Sequence, residues 1–144
     1  MAIHYRLYQN KNQKSDYFQK WYGRAVNMGT VDTEELASII EANCTVKRSD
    51  ILAVLSELTV TMKQQLLDSK RVKLDHLGAF KVAMQTERAD TAEKFVPKKN
   101  IKSLRIIFQP EVRVKQGRYV KTLLDGATVA ELPTYKVEKQ KQGA

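Results

Sequence analysis

Between Leu36 and Leu66 the apolar positions recur at helical spacing, and from Val72 onward they alternate, so the chain changes its period near Asp68. Leu36, Ile39 and Ile40 form a short stripe that stops near Asn43 and Cys44. The preceding Asp32-Thr33-Glu34-Glu35 reads as a capping box, in which Asp32 accepts from first-turn N–H groups and Glu35 reaches back. A second stripe, Ile51, Leu55, Leu58, Met62 and Leu66, predicts a longer helix reaching Asp68, with Thr45 or Ser49 as its cap. Leu52, Val54 and Leu67 widen the apolar surface of that helix beyond one face. Either a second subunit or a sheet of the same chain has to cover it.

Beyond the helices, Val72 and Leu74 alternate with Arg71, Lys73 and Asp75, and Phe80, Val82 and Met84 alternate with Lys81 and Ala83. This predicts two strands meeting at Gly78. A glycine there costs stability, so either a tight turn or a close backbone approach must use its freedom. QTERADTAE, residues 85–93, is polar and turn-like, and Phe95-Val96-Pro97 with Ile101, Leu104, Ile106 and Phe108 resumes a strand that Pro110 ends. Together they predict a long basic hairpin. Residues 114–124 predict a last short helix with Gly126 beyond it, and the segment from Glu131 reads as a loosely ordered tail. In the first 31 residues, Tyr5, Leu7, Tyr17, Phe18, Trp21, Tyr22 and Val26 are aromatic-rich and partly alternating, which predicts added strand, with packing on the body favoured over the alternative that these aromatics stack on bases.

Composition narrows the function. With 25 Lys+Arg against 16 Asp+Glu the net charge is +9, which favours an anionic partner. The excess is localised: residues 33–69 carry three basic against six acidic side chains, and residues 94–121 carry nine basic against Glu111 alone. Such asymmetry is the pattern of a nucleic-acid footprint. MAIHYRLYQNK has no apolar h-region and no segment approaches a membrane span, so the chain reads as cytoplasmic, with no membrane partner. The single cysteine, Cys44, excludes an internal disulfide framework and any CxxC metal site. His4 and His76 form no metal spacing, Asp75-His76 lacks a nucleophile beside it, and GxSxG, P-loop and HExxH motifs are absent. The reading is a non-enzyme without cofactor, metal or small-molecule substrate.

The order of elements carries a resemblance. Short helix, longer helix, strand, a turn with Gly78 and Phe80, strand, long basic arm, and a returning strand with Phe108 and Pro110 is similar to the HU/IHF family of bacterial histone-like DNA-binding proteins. Gly78 and Phe80 match the family's G-F-G-x-F turn with His76 and Leu77 in place of its first two residues, and Phe108 and Pro110 match its F-x-P. The N-terminal extension resembles the longer HU-related proteins of the Bacteroides type. The resemblance implies an α+β fold: a helical hairpin plus a three-stranded antiparallel sheet with an extended β-arm, in an intertwined homodimer, with extra N-terminal strands. It divides the chain into an extension (1–31), a DNA-binding domain (32–125, arm about 84–106) and a loosely ordered basic tail (126–144). On that plan Gly78 makes the tight turn between the first two strands.

The implied function is nucleoid-associated, architectural and not sequence-specific: paired basic arms contact the phosphates and minor groove of double-stranded DNA, where the family inserts apolar wedges and bends the duplex. The sequence supplies the cations: Arg88, Lys94, Lys98, Lys99, Lys102 and Arg105 on the arm, Lys81 at its base, and Arg113, Lys115 and Lys121 on the flank. Long flexible cations meet phosphates without reading bases. The family's tip R-N-P falls at about Thr91 to Phe95, which contains no proline. Phe95 and Pro97 are the candidate wedge, and the expectation is an arm that binds more than it bends. Charge alone also admits a basic RNA-binding or ribosome-associated protein, or an interaction module whose arm holds an acidic protein.

Overall fold

The computed structural model describes residues 1–135 of the 144. The chain is α+β and divides into two compact units, one of Thr33–Asp125 and one that joins Met1–Asp32 to the segment from Gly126 onward.

In the larger unit, α1 (Thr33–Asn43) starts directly after Asp32 and buries Ala37 completely. α2 (Arg48–Leu67) follows, and Ile51 and Leu66 are its buried ends, with Leu55, Leu58 and Met62 half-buried between them as the stripe requires. Its cap differs from the expected Thr45 or Ser49. The Glu41 carboxylate accepts from the Arg48 backbone N–H at 3.1 Å, while the Arg48 guanidinium pairs with Glu34. The first-turn donor of α2 is therefore satisfied from α1. Both ion-pair partners are about half exposed, so the pair contributes at most about 1 kcal/mol.

Strands β3 (Val72–Leu74), β4 (Gly78–Thr86) and β5 (Ile101–Pro110) form an antiparallel sheet in the order β3-β4-β5. The register sets Val72, Phe80 and Phe108 in one row, and the two phenylalanine rings lie 4.9 Å apart. Gly78 does more than close the turn assigned to it. The positive-φ residue of the β3–β4 turn is His76, at φ 68. Gly78 opens β4 at φ 145, where an added Cβ would collide with the Gln109 carbonyl and stand 2.9 Å from both the Phe108 ring and Pro110 Cα. Gly78 therefore supplies both the positive φ with which the chain leaves the turn and the missing side chain that lets β4 and β5 approach.

The expected helix over 114–124 is instead a hairpin of β6 (Val112–Lys115) and β7 (Arg118–Lys121), closed by Gln116 and Gly117 and followed by a single 3₁₀ turn (Thr122–Leu124). Both turn residues have positive φ, 51 and 74, which is the type I′ geometry that matches strand twist. The alternation in Val112-Arg113-Val114-Lys115 outweighed the helical reading.

In the smaller unit, β1 (Ile3–Gln9) lies between β2 (Trp21–Ala25), antiparallel, and β8 (Val129–Glu131), parallel. The extension is therefore strand, and the segment after Gly126, expected as loose tail, supplies the third strand and the buried Leu132, whose N–H donates to Tyr5 O at 2.9 Å. Residues 136–144 of that tail lie outside the described residues.

Candidate nucleic-acid interface

β4 and β5 run together from Gly78↔Pro110 to Thr86↔Ile101, and their register sorts side chains onto two faces. One face carries Phe80, Val82, Met84, Leu104, Ile106 and Phe108; the other carries Lys81, Ala83, Gln85, Ser103, Arg105 and Ile107. The apolar face is largely uncovered: Met84, Leu104 and Ile106 are 59%, 63% and 66% exposed. With Met62, Leu66 and Leu67 of α2 it walls an open groove of about 990 Å³. Within Thr33–Asp125 only Ala37, Ile51, Leu66 and Ala79 are buried apolar residues, while Val54, Val60 and Leu67 of α2 face out. A unit of this size normally buries far more apolar surface than that.

At the far end the ribbon does not continue as strand. Lys102 is the extra residue of a bulge, because Gln85 pairs with Ser103 and Thr86 with Ile101. Residues 87–100 fold into a small tip comprising a 3₁₀ turn (Ala92–Lys94) and a short helix, α3 (Pro97–Asn100), where an uninterrupted strand through Phe95-Val96-Pro97 was expected. Asn100, 4% exposed, holds it together. Its Oδ1 accepts from Val96 N–H at 2.9 Å, its Nδ2 donates to Glu87 O and Arg88 O at 3.3 and 3.4 Å, and its carbonyl accepts from Glu87 N–H at 2.7 Å. A lone asparagine beside lysines gave no sign of this role. Asn100→Leu strands the polar groups it serves, each worth about 1–3 kcal/mol. Backbone amide exchange at Val96 is expected to accelerate at least tenfold, with amides of α2 unchanged; unaltered exchange at Val96 would contradict the pin.

The anticipated cations fall into three groups. Lys98 and Lys99 lie on α3 and Arg88 in the segment that Asn100 clasps, so the tip gathers them. Lys81 and Arg105 share the polar face of the ribbon. Arg113 and Lys115 lie on one face of the β6–β7 hairpin with Arg118, whereas Lys121 is on the opposite face with Val112, Val114 and Tyr119. Several are already engaged: Lys94 with Asp90 at 4.0 Å, Lys102 with Glu87 at 3.1 Å, Lys115 with Asp125 at 3.0 Å, and Arg113 with His76 Nδ1. Among the described residues, Lys81, Arg88, Lys98, Lys99, Arg105 and Lys121 engage no carboxylate. Glu87, Asp90 and Glu93 temper the arm, which over 84–106 holds six basic against three acidic residues. The wedge candidates sit at the tip: Phe95 is 38% exposed, and Pro97 is the first residue of α3.

The family model HU-HIG, described as an HU domain fused to wHTH, Ig or glycine-rich motif, matches residues 1–122. The chain belongs to the HU-HIG family. Its match includes the N-terminal strands, so the extension is part of the HU-HIG plan. The structure is similar to a crystal structure from Bacteroides vulgatus ATCC 8482, described as that of a candidate bacterial DNA-binding protein, with a TM-score of 0.62 and 12% identity. The alignment covers 91% of this chain and 48% of that one, so the chain spans about half its length. That likeness concerns the fold. No curated protein matches.

Proposed function

We propose that this HU-HIG chain is an architectural DNA-binding protein, a homodimer whose two arms hold duplex phosphates without reading sequence. The observation that carries the reading is the two-sided β4–β5 ribbon, which has an uncovered apolar face and leads to a folded tip bearing free lysines. The apolar face needs a partner, and a second copy related by a two-fold axis supplies the same surface to itself. The helical pair, the three-stranded sheet and the arm then form an intertwined body with two tips projecting from it. Binding is to double-stranded DNA at the bacterial nucleoid, and no catalytic step, cofactor or small molecule enters it. No helix among the described residues is long and apolar enough to cross a membrane.

Competition among duplex DNA, duplex RNA and an acidic polypeptide tests the partner class. Duplex DNA is expected to displace a labelled duplex most effectively. Preferential displacement by duplex RNA, or by the polypeptide, would reassign the arm.

Bending is expected to be weak. Pro97 is built into the first turn of α3 and residues 91–95, where the family's tip proline falls, contain none, so no proline is free to unstack a base step while the tip stays folded. Ring closure of short DNA fragments is therefore expected to change little with the protein present, although linear duplex is bound. Strong closure that Phe95→Ala or Pro97→Ala abolishes would make the tip a wedge.

A further inference from the structure

The smaller unit presents a surface that the arm account does not use. Along β1 the side chains alternate: Tyr5 and Leu7 are half-buried, whereas Arg6 and Tyr8 are exposed. The register places Arg6 opposite Arg24 and Tyr8 opposite Tyr22, so two arginines and two tyrosines share the outward face of the sheet. Tyr8 and Tyr22 are each 37% exposed, with ring centroids 5.7 Å apart, and the Arg24 guanidinium lies over the Tyr8 ring, 4.8 Å from its centroid.

One feature of this face concerns an anion with flat rings. A guanidinium resting on an aromatic face is pre-oriented and still presents N–H donors at its edge. The connection between β1 and β2 adds Lys11, Lys14 and Lys20 against Asp16 alone. That connection is ordered by its own bonds: Asn10 and Asn12 side chains accept from the backbone of Asn12 and Lys14, and Ser15 accepts from Tyr17. Exposed aromatic rings set among cations on a sheet are the arrangement on which unpaired bases stack while their phosphates are neutralised. A duplex keeps its bases inside and cannot use such rings.

We propose that the Tyr8/Tyr22/Arg24 face of the N-terminal sheet binds single-stranded DNA, the tyrosines stacking on unpaired bases and Arg24, with the lysines of the β1–β2 connection, meeting the phosphates. The choice of a deoxy strand rests on the duplex-DNA reading of the arm; the stacking face does not. The protein would then hold duplex through one unit and an opened strand through the other.

Fluorescence anisotropy of the full chain with a labelled oligothymidylate of about 12 nucleotides, and separately with a labelled duplex, tests this. Tyr8→Leu with Tyr22→Leu is expected to weaken oligothymidylate binding roughly tenfold per ring lost, with duplex affinity unchanged. Tyr8→Phe with Tyr22→Phe keeps both rings and should bind as the parent does, which separates stacking from folding. Arg24→Gln should lower the salt dependence of oligothymidylate binding. Lys98→Ala with Lys99→Ala should weaken duplex binding alone. Parent protein that binds duplex but not oligothymidylate, a folded leucine pair that binds oligothymidylate as the parent does, or binding of oligouridylate in its place would each overturn the proposal. Binding of oligothymidylate without duplex binding would instead remove the arm reading and leave this face standing.

Discussion

Ile106→Glu is expected to separate the protein into chains and to remove duplex binding. Ile106 lies on β5 opposite Val82, next to Leu104 on the same face, and is 66% exposed within one chain. If that face stayed in water, a glutamate there would change stability by no more than about 0.5 kcal/mol. If two copies cover it, each chain loses about 2 kcal/mol of isoleucine burial and gains a buried, unpaired carboxylate worth several more. Two-fold symmetry counts the loss twice, so association should weaken by at least about 10⁴-fold. Sedimentation equilibrium at micromolar concentration reads the change. Ile106→Leu, which conserves volume and polarity, should sediment as the parent does. A glutamate variant that stays dimeric and binds DNA would place the interface elsewhere.

Replacement of Lys98, Lys99 and Lys102 by Ala is the second large effect. These lysines lie on or beside the tip, and only Lys102 is held by a carboxylate, Glu87 at 3.1 Å. Each phosphate contact releases counterions and adds about 0.9 to the slope of log affinity against log salt. The triple variant should therefore bind unrelated duplexes more weakly by similar factors, with a slope reduced by roughly one unit per lost contact. Taken singly, Lys98→Ala and Lys99→Ala should each cost more than Lys102→Ala, because Lys102 must leave Glu87 to meet a phosphate. An unchanged slope would move the footprint to the hairpin around Arg113 and Lys115.

Much of the body is legible in the sequence because its periodicities are local. The α2 stripe, the β3–β4–β5 alternation and the strand character of the extension need only spacing to be read. What escaped depends on distant partners. Gly78 reads as a turn residue until β5 is placed against it, when Gln109 and Phe108 explain the missing Cβ. Glu41 caps α2 from seven residues upstream, and Asn100 closes the tip by reaching back to Glu87 and Arg88. The pairing of β8 with β1 joins segments more than 120 residues apart, which no window of local pattern contains. For the candidate site, the cations were visible as a charge run, but their division into free and carboxylate-bound groups was not. Glu87, Asp90 and Glu93 lie just before the run yet fold into the same tip. On the N-terminal sheet, Tyr8 and Arg24 are 16 positions apart and become neighbours only through the β1–β2 register.

The central claim is that two copies of this chain hold one DNA duplex. Sedimentation velocity of a fluorescently labelled duplex, followed at the label's wavelength while protein and salt are varied, tests it most directly. The account predicts that at low salt the duplex gains the mass of two 16.5 kDa chains in one step, and that raising salt releases both together. A duplex that gains the mass of one chain, or sediments as free DNA at every salt concentration, would contradict it.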